Sequence, residues 1–151
     1  MRIGIAADHE GLELKQEVVE ELSARGHEVL DFGASSLDFD DDYTEFVIPL
    51  GRAIASGEVE RGIALCSKPL GASMCGNKIP GVRAGTPFDH VSVWQGVEDS
   101  HMNMVCVDTR IVGRSVAWDL IQTFLAARFK DSDSEVRKSS QSGGAGERWQ
   151  R

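Results

Sequence analysis

The chain has 151 residues, with 16 Lys and Arg against 24 Asp and Glu, a formal net charge of −8 at pH 7, 41% hydrophobic residues and 26% charged. That length suits one domain with a core of its own, and the composition is ordinary for a soluble globular protein. The acidic balance argues against a nucleic-acid or anionic-membrane surface, while a local pocket for a small anionic substrate stays open.

Taken in chain order, the first apolar run, "RIGIAA", reads as a strand. It follows Met1 so closely that no signal peptide or membrane span is visible, and the chain reads as cytoplasmic. "GLELKQEVVEELSARG" then predicts a helix, with Leu14, Val18 and Leu22 at four-residue spacing, Leu12 and Val19 widening the stripe, and Gly26 as its stop. "HEVLDF" is the second strand, and the acidic "SSLDFDDDY" after it reads as a solvated loop. A second helix is expected from Thr44, as N-cap, to about Ser56, with a possible kink at Pro49. "RGIALC" forms the third strand and ends at Cys66, where a small-residue loop leads into a short helix. "VRAGTP", the helix "DHVSVWQGV", the strand "NMVCVD" and the long helix "SVAWDLIQTFLAARF" complete the pattern.

Continuous apolar strands alternating with helices specify an α/β protein, a three-layer αβα sandwich around a five-stranded parallel sheet of flavodoxin-like or Rossmann-like type. The domain is expected over residues 1–130, and 131–151 as a polar, Ser/Gly-rich tail, partly disordered.

In such a sheet the strand ends share one edge, where the ligand crevice lies. Asp8 and His9 end the first strand, Cys66, Ser67 and Lys68 the third, and Asp108 the fifth, while the fourth leads to Asp89 and His90. A thiol at the mouth of a strand–helix loop, beside backbone N–H groups, has the setting of a general base or a nucleophile. Cys75 and Cys106 read as small buried hydrophobes. Three cysteines without a redox pair indicate a reducing compartment, and the histidines lack the close spacing of a zinc site, so no metal and no cofactor are expected.

"RIGIAADHEGLELK", "ASGEVERGIALC", "GNKIPGVRAG" and "NMVCVDTRIVG" resemble the ribose-5-phosphate isomerase type B family, which includes the galactose-6-phosphate isomerase subunits. The resemblance runs from Met1 to about Phe129. It implies an aldose–ketose isomerase of a small sugar phosphate, of the ribose 5-phosphate/ribulose 5-phosphate type, working through an enediolate without a metal, as a homodimer or dimer of dimers. It makes Cys66 the carbon base, with the following loop, Ser67, Lys68, Leu70 and Gly71, around the developing oxyanion. Asp8, His9 and Arg110 match substrate-binding positions of the family.

Three departures stand against the family pattern. The loop usually reads Cys-Gly-Thr/Ser-Gly-x-Gly; here it is Cys66-Ser67-Lys68-Pro69-Leu70-Gly71, and Pro69 has neither an N–H nor access to positive φ. Lys68 either supplies a compensating cation or points into solvent. Where the family has His-Asn, with the histidine opening the sugar ring, this chain has Asp99-Ser100 and a histidine at His101. Either Asp99 takes over as acid or base, or His101 swings in, or His101 is an ordinary surface residue. In the tail, where the family binds phosphate, often that of the neighbouring subunit, Arg137 or Lys138 remains and the first arginine is missing.

Alternatives of other classes are a catalytically weakened sugar-binding protein, which the altered loop keeps open, and a signalling receiver domain. The receiver reading is disfavoured, because it expects paired acidic residues after the first strand and an Asp where Cys66 stands. The sugar itself, tetrose, pentose or hexose and phosphorylated or not, is left open.

Overall fold

The protein was described as a computed structural model covering residues 1–130 together with 132, 137, 138 and 140–142. Its elements are β1 (Arg2–Ala7), α1 (Leu12–Ala24), β2 (Glu28–Asp31), α2 (Tyr43–Ala55), β3 (Arg61–Cys66), α3 (Pro69–Gly76), β4 (Ala84–Gly85), α4 (His90–Glu98), β5 (Met104–Asp108) and α5 (Arg114–Ala126), with a 3-10 turn at His9–Gly11. All strand pairs are parallel and the order is β2-β1-β3-β5-β4. The expected five-stranded α/β sandwich is therefore the fold. No helix among the described residues is long and apolar enough to cross a membrane. The polar tail expected from residue 131 lies largely outside the described residues; within it, 137, 138 and 140–142 are helical.

Strand pleating sends alternate side chains to opposite faces. Ile3, Ile5, Ile63, Leu65, Val105 and Val107 pack with Val18 and Leu22 of α1, Val93 and Val97 of α4, and Leu120, Ile121 and Phe124 of α5. The other face is built of smaller residues: Ala6, Ala64, Cys66 and Cys106 pack with Val47, Leu50 and Ile54 of α2 and Ala72 of α3. Glycine in the strands has a steric reason here. A Cβ on Gly4 would lie 2.5 Å from Leu50 Cδ1, and one on Gly62 2.6 Å from Ile54 Cδ1. Helix α2 thus sits close against the sheet beside Cys66.

Several local expectations change. The cap of α2 is Asp42, whose carboxylate accepts from the Thr44 N–H at 3.2 Å; Thr44 is inside the helix. An aspartate in extended backbone outcompetes the threonine because its carboxylate also favours the positive end of the helix. The fourth strand shrinks to Ala84–Gly85, an edge strand paired only with β5. Cys106 is buried, whereas Cys75 is only partly so. On α1 the buried stripe is Lys15, Val18 and Leu22, with Leu14 only partly covered.

Lys15 is buried because its Nζ donates to the carbonyl of Ala34 at 2.5 Å and pairs with Asp31 Oδ2 at 2.7 Å. A buried ammonium is tolerated only with such partners. The contact ties α1 to the end of β2 and to the start of the loop that leads to α2.

Gly11 shows how closely the first turn approaches β3. A Cβ there would lie 2.4 Å from the Leu65 carbonyl oxygen, a backbone atom that has no rotamer to escape into. Gly11→Ala is expected to destabilise the fold by about 1–3 kcal/mol, the usual cost of overpacking. Denaturant unfolding measures it, and a midpoint equal to that of the unmodified chain would show that the turn can move off β3.

Candidate active site

The chain leaves β1 toward β2 on one side and returns to β3 on the other, so a crevice opens at the carboxyl ends of β1 and β3. Asp8, 5% exposed, occupies it. Its Oδ1 accepts from the N–H groups of Glu10 and Gly11 at 3.1 Å each, capping the turn into α1. Its Oδ2 accepts from the N–H and hydroxyl of Ser67 at 3.3 and 3.4 Å. One carboxylate therefore joins the two strand ends and fixes the backbone on the far side of Cys66.

Cys66, the last residue of β3, is 2% exposed, on the face toward α2 and α3. Burial, and then the Asp8 carboxylate, push its thiol up to about 12; the Lys68 N–H favours the thiolate, and the Asp108 carboxylate opposes it. Asp108 stands opposite Cys66 in the β3–β5 register and is also 5% exposed. Its Oδ1 accepts from the N–H of Arg110 at 2.9 Å and of Ile111 at 3.3 Å, while the exposed Arg110 guanidinium lies 3.9 Å away. The hydroxyl of Thr109 is buried here without a hydrogen-bond partner among the described residues.

Helix α3 begins directly after the thiol. Pro69 is its first residue, a position where an N–H would have no intrahelical acceptor, so the proline favours the helix start. Leu70 and Gly71 occupy the next first-turn positions, whose N–H groups are likewise free of the helix ladder. Lys68 precedes them with an exposed side chain, and Ser67 is buried. Gly71 is required by Tyr43: a Cβ there would lie 2.5 Å from the Tyr43 hydroxyl. Tyr43 itself joins Asp8, Phe46, Val47 and Cys66 in a tight pocket beneath the thiol.

His9 follows Asp8 at the same edge. Its Nδ1 lies 2.6 Å from Asp41 Oδ1, which also accepts from the His9 N–H at 3.3 Å. The hydrogen bond to Asp41 raises the His9 pKa, burial opposes it, and the charges of Asp41, Asp8 and Glu10 add to the rise. The Phe39 ring meets the imidazole edge-on, with centroids 5.6 Å apart.

Not every expected residue comes to this crevice. Asp99, Ser100 and His101 lie between α4 and β5, at the amino edge of the sheet. In a parallel sheet the segment entering a strand must lie opposite the segment leaving it, and the five residues of β5 separate the two edges by about 15 Å. Asp99, Ser100 and His101 therefore do not meet Cys66 within one chain. His101 has φ 56, stacks on Phe129 with centroids 4.3 Å apart, and does not approach the thiol. The Ser100 carbonyl accepts from Arg83, whose guanidinium also bonds Ser142 of the tail at 3.1 Å. A groove of about 1090 Å³ opens there, lined by Arg83, Ser100 and His101 among others. Arg137, in the same tail, is exposed.

Two residues of the carboxyl edge, Tyr43 and Asp41, escaped the sequence reading. Asp108 was legible as a strand end. Asp41 comes from a loop without periodicity, where residue type alone does not tell which of its four aspartates, Asp38, Asp40, Asp41 or Asp42, turns inward, and Tyr43 opens α2 directly after that loop. Among the described residues, no three His, Cys, Asp or Glu side chains are arranged to hold a metal ion.

Comparison with known proteins agrees with this layout. Ribose-5-phosphate isomerase B of Escherichia coli is 31% identical over 136 residues, 90% of this chain and 91% of that protein. D-erythrulose-4-phosphate isomerase 2 of Mycolicibacterium smegmatis is 28% identical over 140 residues, 91% of this chain and 92% of that one. The solved structure of Clostridium thermocellum ribose-5-phosphate isomerase B superposes with a TM-score of 0.93 at 34% identity, covering 99% of both chains. Residues 3–141 match the family described as Ribose/Galactose Isomerase. With the sheet order, the strand-end thiol and this match in agreement, the chain belongs to the ribose/galactose isomerase family and is an isomerase.

Proposed function

We propose that the protein interconverts the aldose and ketose forms of a short sugar phosphate at the carboxyl edge of its sheet, with Cys66 as the carbon base. The observation that carries this reading is the thiol between the Asp8-held loop and the first turn of α3. Cys66 removes the proton from C2 of the aldose, and the electron pair moves into an enediolate. The same proton returns to C1 while the proton of the O2 hydroxyl passes to O1, which gives the ketose, so atoms balance without a cofactor. The N–H groups of Leu70 and Gly71 stabilise the negative oxygen, and Ser67, Lys68 and Arg110 complete the substrate contacts. Asp8 and His9 bind the substrate from the end of β1.

A thiol whose pKa stands at about 12 is a strong base that is seldom ionised. In this reading Lys68 and Arg110 turn toward the bound substrate and offset the carboxylates beside the thiol. The same high pKa favours a second reading, in which Asp108, opposite Cys66, takes the carbon proton instead.

The site is completed by a second copy of the chain in this reading, as a homodimer or dimer of dimers in the cytoplasm. Asp99 and Ser100 lie at the sheet edge opposite Cys66 of their own chain, and α3 exposes Leu70 and Met74, 63% and 66% accessible and four residues apart on one face. A two-fold pair brings one chain's amino edge to the other's carboxyl edge and covers such apolar side chains.

The substrate proposed is a tetrose 4-phosphate. Pentose and hexose phosphates are mainly cyclic, and an isomerase must open the ring first; a tetrose 4-phosphate cannot close a furanose, because its O4 is esterified. Asp99 in place of the family's ring-opening histidine is then a tolerated loss. One relative is named for a four-carbon substrate and another for a five-carbon one, both at similar identity.

Cys66→Ala is expected to lower kcat by about 10²–10⁴-fold with the fold intact. Near-full activity in that variant rejects the thiol and transfers the role to Asp108, which Asp108→Asn then tests. In the substrate-free protein, alkylation of Cys66 should accelerate continuously from about pH 7 to about pH 10 without a plateau, since only the thiolate reacts; mass mapping of modified cysteines follows it. Comparing kcat/KM for erythrose 4-phosphate and ribose 5-phosphate tests the substrate. A preference for the pentose that disappears in Asp99→Ala would make Asp99 the ring-opening residue and end the short-substrate reading.

A further inference from the structure

The loop between β2 and α2 carries a carboxylate that the reaction outlined above does not use. Asp41 has a side chain only 5% exposed, and its Oδ2 is buried with no hydrogen-bond partner among the described residues. A carboxylate is not left in that state unless a counter-charge is close, because an uncompensated buried anion is costly. Its neighbour is His9: both the ring Nδ1, at 2.6 Å, and the backbone N–H, at 3.3 Å, meet Asp41 Oδ1. Two contacts from one residue to one oxygen leave the imidazole little freedom to rotate. Phe39, edge-on at 5.6 Å, limits it from another side.

We infer that Asp41 is a positioning residue for His9, holding the imidazole as a cation with its Nε2–H free to donate to an anionic oxygen of the substrate. With Nδ1 committed to Asp41, Nε2 is the nitrogen that remains, and it lies 3.9 Å from Glu10 Oε1 at the rim. A neutral imidazole that donates from Nδ1 would present Nε2 as an acceptor, which repels a phosphate. The charged form presents a donor there. Every charged group that acts on the ring favours that form: Asp41 from the loop, Asp8 from the end of β1 and Glu10 from the turn, with burial alone opposing. The Lys15 contact to Ala34 anchors the beginning of the same loop, and the Asp42 cap of α2 anchors its end, so Asp41 is delivered from a segment fixed at both sides.

This inference rests on the proposed function for the identity of the anion, but the pair itself can be tested without substrate. In the substrate-free protein, NMR titration of the histidine ring signals should show His9 titrating above its ordinary value, and Asp41→Asn should bring it down toward that value, with Asp41→Glu restoring part of the shift. A His9 that titrates at or below its ordinary value in the unmodified chain overturns the inference, and so does a titration left unmoved by Asp41→Asn in a variant that keeps its thermal unfolding profile. If the variant does not fold, the titration of the unmodified chain alone decides. The kinetic readout uses whichever sugar phosphate the chain isomerises. Asp41→Asn should raise KM about tenfold above neutral pH, the scale of one charge-assisted hydrogen bond, with kcat little changed, and the deficit should close as the pH falls and His9 protonates in both proteins. A loss that is equal at every pH marks a structural role and overturns the inference. If no sugar phosphate is isomerised, the proposed function fails while the titration still stands or falls by itself.

Discussion

The structure depends on the Asp8 carboxylate being shared between two strand ends. A parallel sheet makes its crevice where adjacent strands leave in opposite directions, and nothing in the sheet ladder holds that gap to a set width. Asp8 does, by accepting from the turn after β1 with one oxygen and from Ser67 after β3 with the other. The thiol precedes Ser67 directly, so its position follows from the same bonds. The same carboxylate also sets the electrostatics, since it is the largest charge opposing ionisation of Cys66. Geometry and chemistry of the candidate site are therefore coupled: a change that removed the charge would also release the loop.

Packing on the two faces of the sheet supports this edge in different ways. Large aliphatic residues face α1, α4 and α5 and give most of the core. The opposite face is built from glycine, alanine and cysteine, which lets α2 approach and brings Tyr43, at its first turn, beneath the thiol. Small residues there are a steric requirement for the site as much as a means of filling the core.

Much of the fold was legible because its strands are apolar runs between amphipathic helices, and the residues at their carboxyl ends follow from the topology. Asp8, His9, Cys66 and Ser67 come together for that reason alone. The place of Asp99 and His101 was legible in principle as well: once the sheet is parallel, a residue just before β5 must lie at the amino edge. Lys15 was hidden because a lysine within an apolar stripe looks like an interruption, and only the carbonyl of Ala34 and the carboxylate of Asp31 make its burial tolerable. Asp41 was hidden in an acidic run, where a solvated surface and a buried ion pair have the same sequence.

The Lys15 clamp also has a consequence for how the edge assembles. It joins residues 19 apart in the chain, whereas the Asp8–Ser67 bonds join residues 59 apart. Closing the longer loop costs about 1 kcal/mol more in chain entropy. The first strand, first helix and second strand can thus form a locally closed unit that already holds Asp8, His9 and the base of the acidic loop. The thiol reaches that half-built edge only when the third strand docks. As the chain grows from its amino end, the part that binds is ready before the part that reacts.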